Sequence, residues 1–266
     1  MILTVAAAQA EAVAGDLAAN DRTAAGLVRE AADQGARVVV LPEAYLTGYD
    51  LDVFAGTLPS LVDLPLDALR DAARDTGTVV VASSALAAEG IATLSSVVVH
   101  PDGAVDVPYD KQHLDGDEAT YFTPGDHGAS IRVDGLELGL SICYDGCFPE
   151  HARAAAEDGA VAYLSSSAYF AGAEHRRDLY YAARAVENGM YVVFAGLTGR
   201  CGSRDFSGGS AVYDPEGRPL VRLGTEPGVA VADLDTDVVD ATRARHTMLA
   251  DHRDSLGSRD VIRVEG

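Results

Sequence analysis

Residues 138–150 read LGLSICYDGCFPE, and this stretch decides the fold class because it joins a strand to a helix through a sharp turn. The apolar residues 138–142 are typical of a buried strand, and Pro149 favours the first position of a helix. A cysteine at such a turn is exposed, and neighbouring backbone N–H groups can stabilise both a thiolate and an oxyanion. Cys143 is therefore a candidate nucleophile, although this segment alone fits a buried structural cysteine equally well.

The same alternation of strand-like and helix-like segments continues along the chain. Short apolar runs bounded by Gly, Pro, Asp or Ser predict strands at 2–8, 37–41, 78–82, 96–100, 136–142, 161–164, 191–195 and 229–234. Ala-rich segments with helical spacing predict helices at 16–34, 66–75, 149–158 and 174–188. Turn signals at 101–103 and 214–217 lie between β-like runs and predict hairpins. The fold class is therefore α/β with mixed rather than purely parallel sheets.

Length and composition predict one domain. The chain has 266 residues, is 48% hydrophobic and contains nothing that resembles a linker, so it can bury a large core over residues 1–266. The charged segment from residue 243 onward could fray, or exchange with a neighbouring subunit.

The charge balance excludes some partners. Forty-one acidic residues against twenty basic ones give a net charge of −21, which repels phosphate backbones and anionic lipid surfaces. No apolar run reaches the ~18 residues that a membrane-spanning helix needs, and the N-terminal run lacks the positive region of a signal peptide. We expect a soluble, cytoplasmic protein with no nucleic-acid and no membrane partner.

The three cysteines, Cys143, Cys147 and Cys201, are too few for a disulfide framework and fit a reducing compartment. Structural zinc would need a second cluster of ligands beside Cys143 and Cys147, and the sequence offers no obvious one. We predict no metal and no cofactor.

A thiol nucleophile needs a base, and residues 38–43 can supply one. The apolar run ends abruptly in Pro42 and Glu43, and α/β proteins place reactive groups at strand ends. A carboxylate in an apolar setting has its pKa raised toward that of a useful base. In isolation, Glu43 could equally be a solvated acid that follows a strand.

A positive group for the oxyanion could come from Lys111, which follows the predicted hairpin at 101–103. It is the only lysine of the chain, since the other nineteen basic residues are arginines. A single lysine in a chain that otherwise uses arginine indicates a site that needs a compact point charge. The alternative is an ordinary surface lysine.

Together these segments resemble the nitrilase, or carbon–nitrogen hydrolase, superfamily over nearly the whole chain. The matching motifs appear in order: PE at 42–43 with GY at 48–49, DKQHL at 110–114, and CYD at 143–145 with FPE at 148–150. Smaller matches are Asn20, PG at 124–125, RAVEN at 184–188 and SGGS at 207–210. Each motif is weak alone, but three in order are highly specific.

The resemblance implies a role for each matching residue. Cys143 would be the nucleophile, Glu43 the general base and acid, and Lys111 the stabiliser of the oxyanion. Glu118 matches the second glutamate of the family, which positions substrate, and the Tyr144 N–H would be the other oxyanion donor. No cofactor is implied.

The remaining predicted pocket residues lie near strand ends: Tyr49, His113, Ser167, Ala168 and Tyr169. His113 could instead fix its own loop, and aromatic side chains near strand ends are often core residues. Arg184, Glu187 and Asn188 have helical spacing, which favours a structural ion pair or cap over substrate contact.

The residues after the nucleophile bear on the substrate. Many amidases of the superfamily have Tyr-Asp at this position, as here at 144–145, so amide hydrolysis is the leading interpretation, with nitrile and N-carbamoyl hydrolysis as alternatives. An arginine within EHRR at 174–177 could recognise a carboxylate, or simply belong to a solvated helix start. The short chain leaves little room for inserted loops, so we expect a small pocket and a small substrate.

Two other function classes stay open. A catalytically silent binding module should have lost part of the Glu–Lys–Cys set, and an acyltransferase would pass the thioester to an amine instead of water. The resemblance further implies a four-layer α-β-β-α sandwich with two mixed sheets, which forms a homodimer or higher homo-oligomer through helices.

Overall fold

The computed structural model describes residues 1–253 and 255–264, and within them the chain forms two six-stranded mixed sheets that face each other. The strands are β1 (Ile2–Gln9), β2 (Val38–Val40), β3 (Val79–Ala88), β4 (Ile91–Val99), β5 (Val105–Asp110), β6 (Ser130–Val133), β7 (Leu136–Ile142), β8 (Ala162–Ser167), β9 (Tyr191–Gly196), β10 (Thr198–Cys201), β11 (Arg204–Ser207), β12 (Ala211–Tyr213), β13 (Pro219–Arg222) and β14 (Gly228–Asp235). The first sheet has the order β14-β1-β2-β3-β4-β5 and the second has the order β13-β12-β9-β8-β7-β6, while β10 and β11 form a separate hairpin.

Most of the helices lie on the outer faces of the two sheets, but the last one places Val239 in the core between the sheets. They are α1 (Leu17–Asp33), α2 (Leu51–Phe54), α3 (Asp67–Thr76), α4 (Pro149–Glu157), α5 (Glu174–Asn188) and α6 (Thr236–Arg245). Three short 3-10 helices cover Leu61–Asp63, Gly116–Thr120 and Cys143–Cys147. Pro149 opens α4, as the sequence predicts.

Side chains along the strands point alternately to the two faces of each sheet, and this divides the apolar residues among three cores. In β2, Val38 and Val40 face the second sheet, whereas Val39 packs against the side that carries α1 and α3. In β8, Leu164 faces the first sheet and Tyr163 packs under α4 and α5. Successive residues thus serve different cores, which produces the four α-β-β-α layers and confirms the predicted fold class.

Strand directions bring four chain segments to one edge. β2 and β3 are parallel, β5 returns in the same direction through two antiparallel pairings, and β7, β8 and β9 are parallel. The ends of β2 and β8 meet across the sandwich, where the Glu43 N–H donates to the Ser167 carbonyl at 3.3 Å. Residues that follow these strands therefore lie together.

The predicted strands and helices are confirmed, with differences at their ends. The hairpins at 101–103 and 214–217 connect β4 to β5 and β12 to β13. The hairpins β6–β7 and β10–β11 were not predicted. Nor was the one in which β3 runs on to Ala88 and returns as β4 through Glu89 and Gly90, both with positive φ (52° and 81°). The turn signal there is short, because only Gly90 is a residue that favours positive φ.

The predicted C-terminal boundary at residue 243 falls inside α6. The Arg243 guanidinium donates to the carbonyls of Asn188 and Ala160, which fixes the end of this helix on the body of the protein. Residues 246–253 and 255–264 contain no helix or strand, while 254, 265 and 266 lie outside the described residues. In the described part of the chain no helix is both long and apolar enough to cross a membrane.

Candidate active site

Glu43, Lys111 and Cys143 meet at the edge where the strands end. Glu43 lies three residues after β2, and Lys111 and Cys143 directly follow β5 and β7. Lys111 is held in place because its N–H donates to the Leu94 carbonyl and its own carbonyl accepts from the Gly125 N–H. The structure therefore brings the three predicted residues together.

The Lys111 ammonium is bound by two buried carboxylates. Its Nζ lies 2.7 Å from Oε1 of Glu43, and 2.8 Å and 2.6 Å from Oε1 and Oε2 of Glu118. Glu118 lies in the 3-10 helix Gly116–Thr120, where its Oε2 also accepts from the Asp115 N–H. Tyr49 donates its hydroxyl to Oε1 of Glu118 at 2.7 Å. The side chains of Glu43 and Lys111 are 0% exposed, so these charges interact in a region that excludes water.

This burial changes the proton affinities of the cluster. It raises the pKa of Glu43 to about 8, although the adjacent Lys111 ammonium acts in the opposite direction. Burial alone would lower the pKa of Lys111, but Glu43 and Glu118 outweigh that effect and raise it. Burial, reinforced by Glu43, also raises the pKa of the Cys143 thiol. The thiol is therefore neutral at rest and needs a base, and Glu43 has a pKa near neutrality.

One oxygen of Glu43 is still available. Oε2 is buried and has no hydrogen-bond partner among the residues that the structure describes. A buried unpaired carboxylate oxygen is energetically costly, and a catalytic role is one reason why native proteins retain such an atom. Glu43 can accept a proton there while Oε1 keeps its contact with Lys111.

Cys143 sits in a strained turn. Its φ is 45°, in the left-handed region that is unusual for a residue other than glycine, and such strain is common at reactive sites. Tyr181 donates its hydroxyl to the Cys143 carbonyl at 2.9 Å, and a Cβ on Gly146 would come within 2.7 Å of the same tyrosine ring. Tyr144 is the second residue of this 3-10 helix, where backbone N–H groups have no helical acceptor.

A pocket of about 270 Å³ opens onto Cys143 and Glu118. Its size lies near the lower end of the range for small-molecule sites, which agrees with the expected small pocket. Asp115 and Arg176 add charged groups to its lining. Much of the wall is aromatic: Tyr49, Tyr144, Tyr169, Phe170 and Tyr180.

The other predicted pocket residues divide into two groups. Tyr49, Tyr144, Ala168 and Tyr169 line the pocket as expected. His113 and Ser167 are not among the residues that line it.

The side chains of His113 and Ser167 have partners away from the pocket. His113 stacks on Phe148 with ring centroids 3.8 Å apart and contacts Asp145, so it fixes its own loop. The hydroxyl of Ser167 contacts Tyr181 at 2.9 Å and that of Ser165 at 3.1 Å.

Helix α5 contributes to the pocket through one arginine of the EHRR segment. Arg176 lines the pocket and donates to the Tyr180 hydroxyl at 2.7 Å, one helical turn further on. The neighbouring Arg177 is buried and donates to Ser207 and Gly208, so it is structural. The helical spacing of residues 176 and 180 is a signal that could have identified this pair.

Two further features of this region bear on the sequence interpretation. Arg184 and Glu187 form the predicted structural ion pair, with 3.2 Å between Nη1 and Oε2. Cys147, to which the sequence assigns no site role, lines the pocket and contacts the Tyr169 hydroxyl at 3.4 Å. Within the described ranges, no cluster of three His, Cys, Asp or Glu side chains is arranged to hold a metal ion.

Comparison with known proteins identifies the family. The chain matches the family model described as carbon-nitrogen hydrolase over residues 4–244. It is 33% identical over 236 residues to an (R)-stereoselective amidase from a Pseudomonas species, covering 86% of this chain and 84% of that protein. It is 34% identical over 220 residues to a nitrilase from Pyrococcus abyssi, covering 80% and 82%.

A solved structure agrees with these relatives. A variant of the amidase from Nesterenkonia sp. AN1, with the acetamide moiety of fluoroacetamide added covalently at its active-site cysteine, has a TM-score of 0.84 and 33% identity, covering 94% of each chain. The chain belongs to the carbon–nitrogen hydrolase family. The predicted enzyme class, an amidase-type hydrolase, is confirmed.

Proposed function

We propose that this protein hydrolyses the amide bond of a small molecule through a thioester on Cys143. One observation carries the proposal: a buried lysine, bound by two carboxylates, lies near a cysteine that lines a small pocket. Such a cluster has a nucleophile, a base and a positive charge, the three groups that acyl transfer requires.

The first half-reaction makes the thioester. Glu43 takes the thiol proton of Cys143, and the sulfur attacks the carbonyl carbon of the amide. Lys111 and the Tyr144 N–H stabilise the negative charge that develops on the carbonyl oxygen. The carbon–nitrogen bond then breaks, and the amine leaves with the proton that Glu43 returns.

The second half-reaction releases the acid. Glu43 removes a proton from water, which attacks the thioester carbonyl, and the same oxyanion donors stabilise the tetrahedral intermediate. The carbon–sulfur bond breaks, and Glu43 returns the proton to Cys143. Glu118 keeps Lys111 in position throughout, because its carboxylate contacts Nζ through both oxygens.

The pocket supports a short acyl group as substrate. Its volume of about 270 Å³ fits a small acyl group better than a drug-sized ligand beside Cys143. Arg176 on the wall would favour an acyl chain that ends in a carboxylate. The Pseudomonas and Nesterenkonia relatives are named amidases, whereas the Pyrococcus relative is named a nitrilase, so nitriles belong in the assay.

The test is ammonia release from a panel of acetamide, butyramide, an ω-amide with a free carboxylate, an N-carbamoyl compound and a nitrile. We expect turnover of amides by wild type, none by Cys143→Ala, and a loss on the order of 100-fold or more in Lys111→Ala, since one oxyanion donor contributes that much. Undiminished turnover by Cys143→Ala would refute the scheme. Lys111→Ala within about tenfold of wild type would refute the role of Lys111.

Acyl transfer is separated from hydrolysis by adding hydroxylamine to the amide reaction. A hydrolase gives mainly the free acid at low hydroxylamine, whereas a transferase gives mainly the hydroxamate. If hydroxamate predominates, the protein is an acyltransferase rather than a hydrolase, and Cys143 remains the proposed nucleophile.

We further propose that the protein acts as a homodimer in a reducing, cytoplasmic setting. Leu179 and Val186 are 59% and 41% exposed on α5 and lie seven residues apart, on one helical face suited to a second copy. The three cysteines are free, as expected where thiols stay reduced. Sedimentation analysis of wild type and Leu179→Glu tests the dimer, and a monomeric wild type would contradict it.

A further inference from the structure

Asp145 is the centre of a second buried cluster, behind the turn that carries Cys143. Its Oδ1 accepts hydrogen bonds from the backbone N–H and the ring Nδ1 of His113, both at 2.9 Å. Its Oδ2 accepts from the Ile142 N–H at 3.0 Å and from the Tyr109 hydroxyl at 2.6 Å. Two donors therefore satisfy each oxygen of a carboxylate that is 0% exposed.

The positions of these donors in the chain are informative. Tyr109 and His113 lie two residues before and two residues after Lys111, and Ile142 directly precedes Cys143. One carboxylate thus holds the backbone on both sides of the lysine, together with the strand end that carries the nucleophile.

The cluster continues through a directed chain of hydrogen bonds. Because the Tyr109 hydroxyl donates to Asp145, its oxygen accepts from Nε2 of His151 at 2.9 Å. Burial lowers the pKa of His151, so the ring is neutral, and its Nδ1 accepts from the Tyr163 hydroxyl at 2.8 Å. Each donor in the chain is oriented toward the Asp145 carboxylate, which fixes the Tyr109 side chain.

We propose that Asp145 is a positioning residue that sets the location of the Lys111 ammonium relative to the Cys143 sulfur, with Tyr109 and His151 as its support. The inference rests on the proposed function, because it concerns the geometry of the same oxyanion site. A misplacement of ~1 Å at a catalytic group can cost about 100-fold in rate. The two catalytic segments lie on different sheets, and Asp145 joins them directly.

The test variant is Asp145→Asn. An asparagine offers one acceptor oxygen and one NH₂ donor, so its NH₂ must face either the two donors of His113 or those of Ile142 and Tyr109. We expect kcat for a small amide such as butyramide to fall by about 100-fold. We expect KM to change less than about threefold, because Asp145 does not line the pocket.

The matched control is Asp21→Asn. Asp21 is also buried, and its two oxygens accept the N–H groups of Ala68 and Leu69 at 3.0 Å, but it caps α3 and does not line the pocket. We expect its kcat to stay within about twofold of wild type.

If Asp145→Asn does not fold, the variant Tyr109→Phe tests the same inference. It keeps the Asp145 carboxylate and removes one of its donors, and we expect about a tenfold loss in kcat.

A double-mutant cycle separates positioning from general loss of structure. In a Lys111→Ala background, residual hydrolysis of the activated ester p-nitrophenyl acetate is measured with and without Asp145→Asn. If Asp145 acts through Lys111, the second substitution costs less than about threefold, because there is no ammonium left to position. If it costs the same factor in both backgrounds, the positioning role is refuted.

Two further outcomes distinguish a failure of the positioning inference from a failure of the proposed function. A folded Asp145→Asn protein with kcat within about threefold of wild type would overturn the inference while leaving the proposed hydrolase intact. Failure of wild type to cleave any amide, or equal activity in Cys143→Ala, would instead refute the proposed function.

Discussion

The two buried carboxylate clusters around Lys111 differ in how completely their oxygens are satisfied. Glu43 receives the lysine on Oε1 but has an unpartnered Oε2 within the part of the chain that the structure describes. Asp145 receives two hydrogen bonds on each oxygen. Burial raises the pKa of Glu43 to about 8, whereas for Asp145 the hydrogen bonds of His113 and its other donors outweigh burial and lower the pKa.

The difference separates a reactive carboxylate from a structural one. A carboxylate that accepts several hydrogen bonds stays ionised and rigid, and has little tendency to take a proton. One with an unsatisfied buried oxygen gains by accepting a proton. Under the proposed function, two carboxylates in one small region therefore have different roles: Glu43 as the base and Asp145 as a fixed anchor.

The largest expected effect comes from Glu43→Gln, which removes the base and keeps the shape. General acid–base catalysis contributes about 10²- to 10⁴-fold, so we expect kcat to fall by that range while KM changes little. Steady-state kinetics with a small amide measures it. Substantial activity in the variant would mean that another group removes the thiol proton. The difference in hydrogen bonding between Glu43 and Asp145 would then have no bearing on catalysis.

The pH dependence of wild type tests the same carboxylate without a substitution. Glu43 must be ionised to accept the thiol proton, so kcat/KM should rise with pH and level off above an apparent pKa of about 8. Below that pKa the rate should fall about tenfold per pH unit. A profile that stays flat between about pH 6 and about pH 8 would contradict a base with a raised pKa.

Substitution of the two carboxylates should also change the stability of the folded protein in opposite directions. The pKa of Glu43 is raised from its ordinary 4.5, so the folded state holds that proton more tightly and loses stability as the pH rises from 4.5 to about 8. Glu43→Gln should therefore gain stability relative to wild type between about pH 5 and about pH 9. Chemical denaturation at both pH values measures the gain, and no change with pH would count against it.

Asp145→Asn should instead be less stable than wild type at neutral pH, by about 1–3 kcal/mol, because buried donors lose their acceptor. The lowered pKa of Asp145 means that its ionised form stabilises the fold above the ordinary 3.8, and that this contribution is lost only in more acidic solution. The same denaturation curves test this prediction. Equal or greater stability of Asp145→Asn would break the proposed contrast.

The smallest expected effect is that of Tyr49→Phe, which removes one donor to Glu118 and leaves the ring packed against Phe54. A single hydrogen bond to a charged group contributes about 1.5–3 kcal/mol at most, and Lys111 still contacts both Glu118 oxygens. We expect a loss of kcat/KM of about tenfold or less, clearly below that of Glu43→Gln. A loss as large as that of Glu43→Gln would mean that Tyr49 takes part in the chemistry.

Much of the fold and the central cluster could be predicted from sequence. Glu43 and Cys143 follow strands that the sequence predicts, and Lys111 follows a predicted hairpin whose second strand, β5, was not delimited from sequence. The hairpins at 101–103 and 214–217 have the turn residues that their geometry needs.

The rest could not be predicted, because it depends on contacts between distant parts of the chain. Asp145 binds Tyr109 from 36 residues away, and the Tyr109–His151 contact spans 42 residues. No spacing within one element predicts such pairs. The sequence left open whether His113 lines the pocket or fixes its own loop, and its ring contacts Asp145 and stacks on Phe148.

The central claim is that Cys143 forms a thioester, and mass spectrometry of the protein quenched in acid during turnover of a small amide tests it most directly. We predict a mass increase equal to the acyl group less one hydrogen, located on the peptide that contains Cys143 and absent from Cys143→Ala. Sustained turnover with an unmodified Cys143 peptide, together with full activity of Cys143→Ala, would contradict the account.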